Sequence, residues 1–138
     1  MKIDLDAVTK KYGKDGSEKC VLDHVSLSVE TGEMVAVCGK SGAGKSTLLH
    51  LIGLLDAPTS GTISFDGQNI TATKSDRELS KIRNEKIGFV LQDFGLIEDE
   101  SVYNNVSLPL MFGKAKLTSI DERVQDVLAK VGMDSFVE

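Results

Sequence analysis

The chain has 138 residues, enough for one domain with a single hydrophobic core. Its 16 basic and 21 acidic residues give a net charge of −5, and no run of Lys or Arg exceeds two, so nucleic acid is not an expected partner. No stretch approaches the ~18 apolar residues that a membrane span needs. The two isolated cysteines favour a reduced, cytosolic setting. Composition therefore predicts a water-soluble chain.

The amino-terminal third of the chain predicts two kinds of strand. Residues 2–8 and 21–29 alternate apolar and polar side chains, as half-buried strands of an antiparallel sheet do. Residues 34–38 are apolar at every position, which predicts a strand covered on both faces, as in a parallel sheet. From Lys45 to about Leu55 the apolar residues nearly encircle a helix, so we predict that this helix is buried.

The later elements also mix strands and helices. Residues 62–70 predict a short strand followed by a glycine turn, again of the antiparallel type. The sequence "SDRE" at residues 75–78 is a capping box that opens a helix. Residues 87–91 predict another short apolar strand. Two more helices are predicted near residues 102–106 and from residue 119 to about residue 131.

Between the predicted strand and the predicted helix lies the sequence "GKSGAGKST", which fits the spacing G-x-x-x-x-G-K-[ST]. The first amides of a helix lack intrahelical partners, and together with the helix dipole they form an anion site. Glycines let the preceding amides curl around a phosphate. We expect Lys45 to reach the β- and γ-phosphate oxygens and the Ser46 hydroxyl to bind Mg²⁺. The predicted nucleotide-binding residues of this loop are Gly39, Lys40, Ser41, Gly42, Ala43, Gly44, Lys45, Ser46 and Thr47.

A phosphate loop alone does not fix a function, because kinases, GTPases, recombinase-type motors and transport ATPases all use one. Three further stretches narrow the choice: "KYG" at residues 11–13, "GFVLQDFGLI" at residues 88–97 and "SVYNNVSLPL" at residues 101–110. Together with the loop, they resemble the ATP-binding cassette (ABC) transporter ATPases, and among these the lipoprotein-releasing, macrolide and peptide exporter branch. The resemblance covers essentially the whole chain.

The resemblance implies roles for two residues outside the loop. Tyr12 matches the aromatic residue that stacks on the adenine ring, and Gln92 matches the glutamine of the Q-loop, whose amide oxygen reaches Mg²⁺ or the attacking water. Lys45 and Gln92 are thus the expected catalytic residues, and Ser46 and Gln92 are the expected metal ligands. A different P-loop class, with Asp93 binding Mg²⁺ at a strand end, is the weaker reading because Gln92 interrupts the apolar run.

The resemblance also implies an α/β fold, with a P-loop core of parallel sheet and helices, an antiparallel β subdomain and the start of a helical subdomain. We expect residues 1–91 to form the ATP-binding core and residues 92–138 to hold the Q-loop and the helical part. The signature motif, the acidic metal strand and the switch histidine of the family are not found in the sequence. We therefore expect the amino-terminal part of a transport ATPase, which binds ATP and Mg²⁺ but does not hydrolyse ATP alone.

The expected partners are transmembrane permease subunits and a second copy of the ATPase subunit, at the cytoplasmic face of the cell membrane. The expected activity of the whole protein is export of a lipophilic or peptide substrate, driven by ATP. A kinase-like P-loop enzyme and a non-transport ABC ATPase are the alternatives.

Overall fold

The computed structural model describes residues 1–14, 16–71, 75–91, 93, 95–113, 117–133 and 135. They belong to two compact units, Met1–Ser80 and Lys81–Glu138. The boundary that the sequence predicts, between residues 91 and 92, stays a prediction. None of the helices in the described ranges has both the length and the apolar character needed to cross a membrane.

The secondary structure runs through nine short elements. In chain order they are β1 (Ile3–Tyr12), β2 (Lys19–Val29), α1 (Lys45–Ile52), β3 (Ser60–Phe65), β4 (Gln68–Asn69), α2 (Asp76–Lys86), α3 (Val102–Met111), a 3₁₀ turn (Leu117–Ser119) and α4 (Ile120–Lys130).

The strands of the first unit form one antiparallel sheet in the order β2-β1-β3-β4. β1 pairs with β2 as far as Tyr12, which lies opposite Lys19. β3 and β4 form a hairpin whose turn residues, Asp66 and Gly67, have φ values of 50° and 77°. These positive angles are those of a type I′ turn, which suits the twist of a two-residue hairpin. The antiparallel strands predicted from alternation are thus confirmed.

α1 packs on this sheet with one side only. Leu48 and Leu51 are buried, whereas Leu49 and Leu55 are about half exposed. The prediction of a helix buried all round and reaching Leu55 is therefore wrong, because a short helix beside a sheet buries mainly the side turned toward it. The buried apolar side chains of this unit are Leu5, Val8, Leu22, Leu48, Leu51, Leu54, Ile63, Phe65 and Ile70.

Two segments that are apolar at every position do not form strands. Residues 34–38 and 87–91 are irregular, and Met34 is 98% exposed. A strand in a parallel sheet is held by hydrogen bonds to neighbouring strands, and no strand of the four-stranded sheet pairs with either segment. The predictions of a parallel strand at residues 34–38 and of a short strand at residues 87–91 are thus wrong.

The capping box predicted at the start of α2 is present, and α4 packs on α3. At the start of α2, the Ser75 backbone N–H donates to Glu78 Oε2 at 2.9 Å, which confirms the capping box. In the second unit, Ile120, Val124 and Leu128 lie one turn apart on α4 and are buried. They pack against apolar side chains of α3, which include Val102, Tyr103, Val106 and Leu110.

Candidate functional site

The loop at the amino end of α1 has a backbone that requires glycine. Gly42 and Gly44 have φ values of 77° and 90°, in the region that L side chains rarely adopt. Gly44 is the N-cap of α1, and the first helical hydrogen bond runs from the Leu48 N–H to the Gly44 carbonyl at 2.9 Å. The amides of residues 45–47 therefore have no carbonyl partner one turn back within the helix, as at any helix start.

Gly44 also lies against the sheet. A Cβ added there would come within 2.9 Å of both the Leu22 Cδ2 atom and the Val21 carbonyl oxygen. The absence of a side chain thus lets the loop approach β2 closely, and this contact fixes where the amino end of α1 lies.

This geometry predicts a specific cost of substitution. We expect Gly44→Ala to lower the free energy of unfolding by about 2 to 4 kcal/mol, because it adds backbone strain to overpacking against β2. The matched control is Gly42→Ala, which has a similar φ but no atom within 4 Å of the new Cβ, and which is expected to cost only about 1 kcal/mol. Urea unfolding measures both values. Equal stability of the two variants would show that the contact with β2 does not constrain the loop.

The Lys45 side chain turns back along the loop. Its Nζ donates to the Gly39 carbonyl at 2.9 Å and to the Lys40 carbonyl at 2.8 Å. The Ala43 N–H donates to the same Lys40 carbonyl at 3.2 Å. The ammonium is thus held over the loop by main-chain oxygens. With these two acceptors in the described part of the chain, one of its three N–H donors is left for a further acceptor.

Six of the nine predicted loop residues line one open cavity of about 320 Å³. They are Ser41, Gly42, Gly44, Lys45, Ser46 and Thr47, and Val21 of β2 completes the wall. The cavity joins helix-start amides, a lysine ammonium and the hydroxyls of three residues, Ser41, Ser46 and Thr47, without a carboxylate. This donor set suits an anion of high charge, such as a polyphosphate.

The same cavity fits Mg²⁺ only in company with a phosphate. Mg²⁺ retains waters and takes one or two protein oxygens beside substrate phosphates, and Ser46 offers one hydroxyl at the cavity wall. No group of three or more His, Cys, Asp or Glu side chains suited to a metal occurs in the described part of the chain. The residues therefore suit a nucleotide-bound cation better than a resident metal centre.

Tyr12 does not line this cavity and instead joins a polar cluster at the end of β1. Its hydroxyl donates to Asp56 Oδ2 at 2.8 Å, and the Lys10 Nζ lies 4.8 Å from the centre of its ring. The Lys10 Nζ also donates to Asp56 Oδ1 at 2.6 Å and to the Ala57 carbonyl at 2.7 Å. Tyr12 as a residue is 42% exposed, so part of it is open to solvent.

Asp56 is held ionised by its neighbours. Partial burial of the carboxyl raises its pKa, but hydrogen bonds from Lys10, Tyr12 and the Ala57 amide, together with the Lys10 charge, outweigh burial and leave the pKa below its ordinary value. The carboxylate is therefore charged at neutral pH, and its interactions persist as the pH falls until it drops below the ordinary range for aspartate.

A sequence profile described as "ABC transporter" matches residues 22–138. The chain belongs to the ABC transporter family. Two relatives show the extent of the match. The chain is 41% identical over 135 residues to the macrolide export ATP-binding/permease protein MacB of Hyphomonas neptunium, and 42% identical over 133 residues to the uncharacterized ABC transporter ATP-binding protein YvrO of Bacillus subtilis. These alignments cover 98% and 96% of the chain.

Solved ABC cassettes share the fold. One is a dimeric structure of MJ0796, described as a bacterial ABC transporter cassette, with a TM-score of 0.87 and 39% identity over 99% of the chain. Another is a dimeric post-hydrolysis state of MJ0796 bound to ADP and Pi, with a TM-score of 0.85 and 38% identity over 98% of the chain. These similarities confirm the predicted family and α/β fold class.

The chain is shorter than these ABC proteins. It spans 60% of each solved cassette, 58% of YvrO and 21% of MacB.

Within this ABC chain, the structure adds residues that the sequence did not single out. Lys10 and Asp56 contact Tyr12, and Val21 lines the cavity at the amino end of α1. No signal in the sequence pointed to Lys10, because the alternation that predicted β1 ends at residue 8. Gln92 lies outside the described residues, so its assignment to catalysis and Mg²⁺ stays a prediction.

Proposed function

We propose that the chain is the nucleotide-binding part of the ATP-binding subunit of an ABC exporter. The observation that carries the proposal is the cavity at the amino end of α1, where helix-start amides and the Lys45 ammonium surround space for a polyphosphate. The loop residues Gly39 to Thr47 bind the phosphates of ATP in this assignment, and Tyr12 stacks on the adenine. The bound ADP and Pi in the MJ0796 cassette support a nucleotide as the ligand.

Mg²⁺ completes the proposed ligand. Ser46 supplies a hydroxyl oxygen at the cavity wall, and Gln92 supplies an amide oxygen in the role that the family resemblance implies. The cation neutralises charge on the β- and γ-phosphates when bound. Lys45 and Gln92 are the residues of this chain that we assign to hydrolysis in the whole protein.

Transport needs membrane-spanning segments, and none of the described helices of this chain can span a membrane. We propose that transmembrane permease subunits and a second copy of the ATPase subunit associate with the whole protein at the cytoplasmic face of the membrane. Two observations support this arrangement: the name of MacB joins ATP-binding and permease functions, and both MJ0796 structures are dimeric. A lipophilic or peptide substrate follows from the exporter resemblance.

Nucleotide titration tests this function. We expect the chain to bind ATP and GTP with affinities within about tenfold of each other, because a stacked ring reads the face of a base and not its edge. We also expect Tyr12→Ala to weaken ATP binding by about five- to thirtyfold, the loss of one base-stacking contact. Calorimetry measures both. If Tyr12→Ala binds ATP with wild-type affinity, Tyr12 does not contact the nucleotide. Strong selectivity for GTP would favour a P-loop enzyme that recognises the edge of the base.

A further inference from the structure

The polar cluster at the end of β1 holds the Tyr12 ring by two interactions and links their partners by a third. The Tyr12 hydroxyl donates to one carboxylate oxygen of Asp56, and the Lys10 ammonium donates to the other. The same ammonium lies 4.8 Å from the centre of the Tyr12 ring, within the range of a cation–π interaction. Tyrosine side chains rotate about two bonds, and here the hydroxyl end and one ring face are both held.

Lys10 and Asp56, which together anchor the Tyr12 ring, are themselves held by further hydrogen bonds. Lys10 is only 9% exposed, and its Nζ also donates to the Ala57 carbonyl at 2.7 Å. Thr59 ties the same segment to β1, because its N–H donates to the Thr9 carbonyl at 2.8 Å and its hydroxyl accepts from the Lys11 N–H at 3.0 Å. Asp56 is therefore fixed relative to the strand that carries Tyr12.

The chain path connects this anchor to the phosphate loop. α1 begins at Lys45, within the last part of the loop, and ends at Ile52, four residues before Asp56. Leu48 and Leu51 bury α1 against the sheet of the same unit. The segment from α1 to Asp56 thus connects the phosphate loop to the Tyr12 ring, and Asp56 is the residue of this segment that contacts Tyr12.

We propose that Asp56 is a positioning residue that presets the Tyr12 ring for the base of the nucleotide. The inference rests on the proposed nucleotide site and adds to it how the base contact is fixed. The Lys10 ammonium covers one face of the ring, so the base stacks on the opposite face. A ring already held in place loses little rotational freedom when the base stacks on it, and this preorganisation increases the affinity.

The experiment separates base contacts from phosphate contacts in the 138-residue chain. Calorimetry measures the affinities for ATP and for inorganic tripolyphosphate, which has no base. A Tyr103→Phe background leaves Tyr12 as the one tyrosine of a chain without tryptophan, so that tyrosine emission reports on the ring. We expect ATP, and not tripolyphosphate, to quench this emission.

Substitutions at Asp56 then test the positioning role. We expect Asp56→Ala to weaken ATP binding by about three- to tenfold, the size of one net hydrogen bond, and to leave tripolyphosphate binding unchanged. Asp56→Asn retains an oxygen that accepts from the Tyr12 hydroxyl, so its loss of affinity is expected to be smaller. In a Tyr12→Phe background, which lacks that hydroxyl, Asp56→Ala is expected to cause no further loss.

The outcomes distinguish this inference from the proposed function. An equal loss of ATP and tripolyphosphate affinity in Asp56→Ala, or the same loss in the Tyr12→Phe background, would show that Asp56 acts through the fold and would overturn the inference. If circular dichroism shows that Asp56→Ala does not fold, the affinities for ATP and tripolyphosphate are compared in Asp56→Asn and Tyr12→Phe instead. Wild-type ATP affinity in both of these variants would overturn the positioning role of Asp56. A wild-type chain that binds neither ligand would overturn the proposed function as well.

Discussion

Replacing Lys45 by alanine is expected to weaken Mg-ATP binding by about ten- to a hundredfold, the equivalent of roughly 1.5 to 3 kcal/mol for a charge-assisted hydrogen bond. The Lys45 Nζ is held by the Gly39 and Lys40 carbonyls, so the loop's own main chain places the ammonium over the loop. Binding adds phosphate oxygens to its partners and requires little rearrangement. Titration of both forms with a fluorescent ATP analogue measures the difference.

The matched control for this experiment is Lys40→Ala. It removes the same charge from the same loop, but the Lys45 ammonium and its two carbonyl partners remain. We expect Lys40→Ala to weaken binding by no more than about threefold, the effect of a nearby exposed charge. Equal affinities of the wild type and Lys45→Ala would remove the lysine from the phosphate site. Equal losses in both variants would reduce its role to a general contribution of positive charge.

Local patterns in the sequence predicted those features that depend on neighbours along the chain. Alternating side chains predicted β1 and β2, and the Asp66-Gly67 pair predicted the turn after β3. The spacing of the phosphate loop predicted six residues that the structure brings to one cavity. In each case, the backbone angles or the periodicity needed by the element are set by residues within a few positions of one another.

The wrong predictions concern segments whose structure depends on distant partners. Met34–Cys38 and Ile87–Leu91 are apolar enough for buried strands, but no strand among the described residues pairs with them. An apolar run gains its burial and its hydrogen bonds from neighbouring strands, and composition does not reveal whether these are present. The prediction that α1 is buried on all sides was wrong for a related reason. The burial of each leucine depends on which distant segments pack against that side of the helix.

The anchor of Tyr12 also depended on distant residues. Asp56 and Lys10 are 46 positions apart, and the ion pair between them forms only because the segment after α1 returns to the end of β1. Each residue taken alone reads as a surface charge in the sequence. In the sequence, Tyr12 is an isolated aromatic residue at a strand end. In the structure, Asp56 and Lys10 hold its side chain in a defined position.

The 138-residue chain alone is expected to bind Mg-ATP without turning it over. Phosphoryl transfer to water needs a group that orients the water and positive charge around the γ-phosphate. In the proposed site, the phosphate loop contacts one side of the nucleotide. The serine-glycine-glycine signature that the family resemblance leads us to expect on the other side is not found in the sequence. The loss of each such group costs about a hundred- to a thousandfold in rate, at about 1.4 kcal/mol for each tenfold.

Phosphate release by the purified chain measures this expectation, with Lys45→Ala as the control for contaminating phosphatases. We expect the same background rate from both proteins, although the wild type alone binds ATP tightly. Addition of a full-length relative that carries its own signature motif is expected to raise the rate only where the two proteins associate, because the proposed site needs groups from a second subunit. Turnover near about 1 per second, the low end of ordinary enzyme rates, that disappears in Lys45→Ala would show that these residues contain a whole catalytic site. That result would favour a self-contained P-loop enzyme over a half-site completed by a partner.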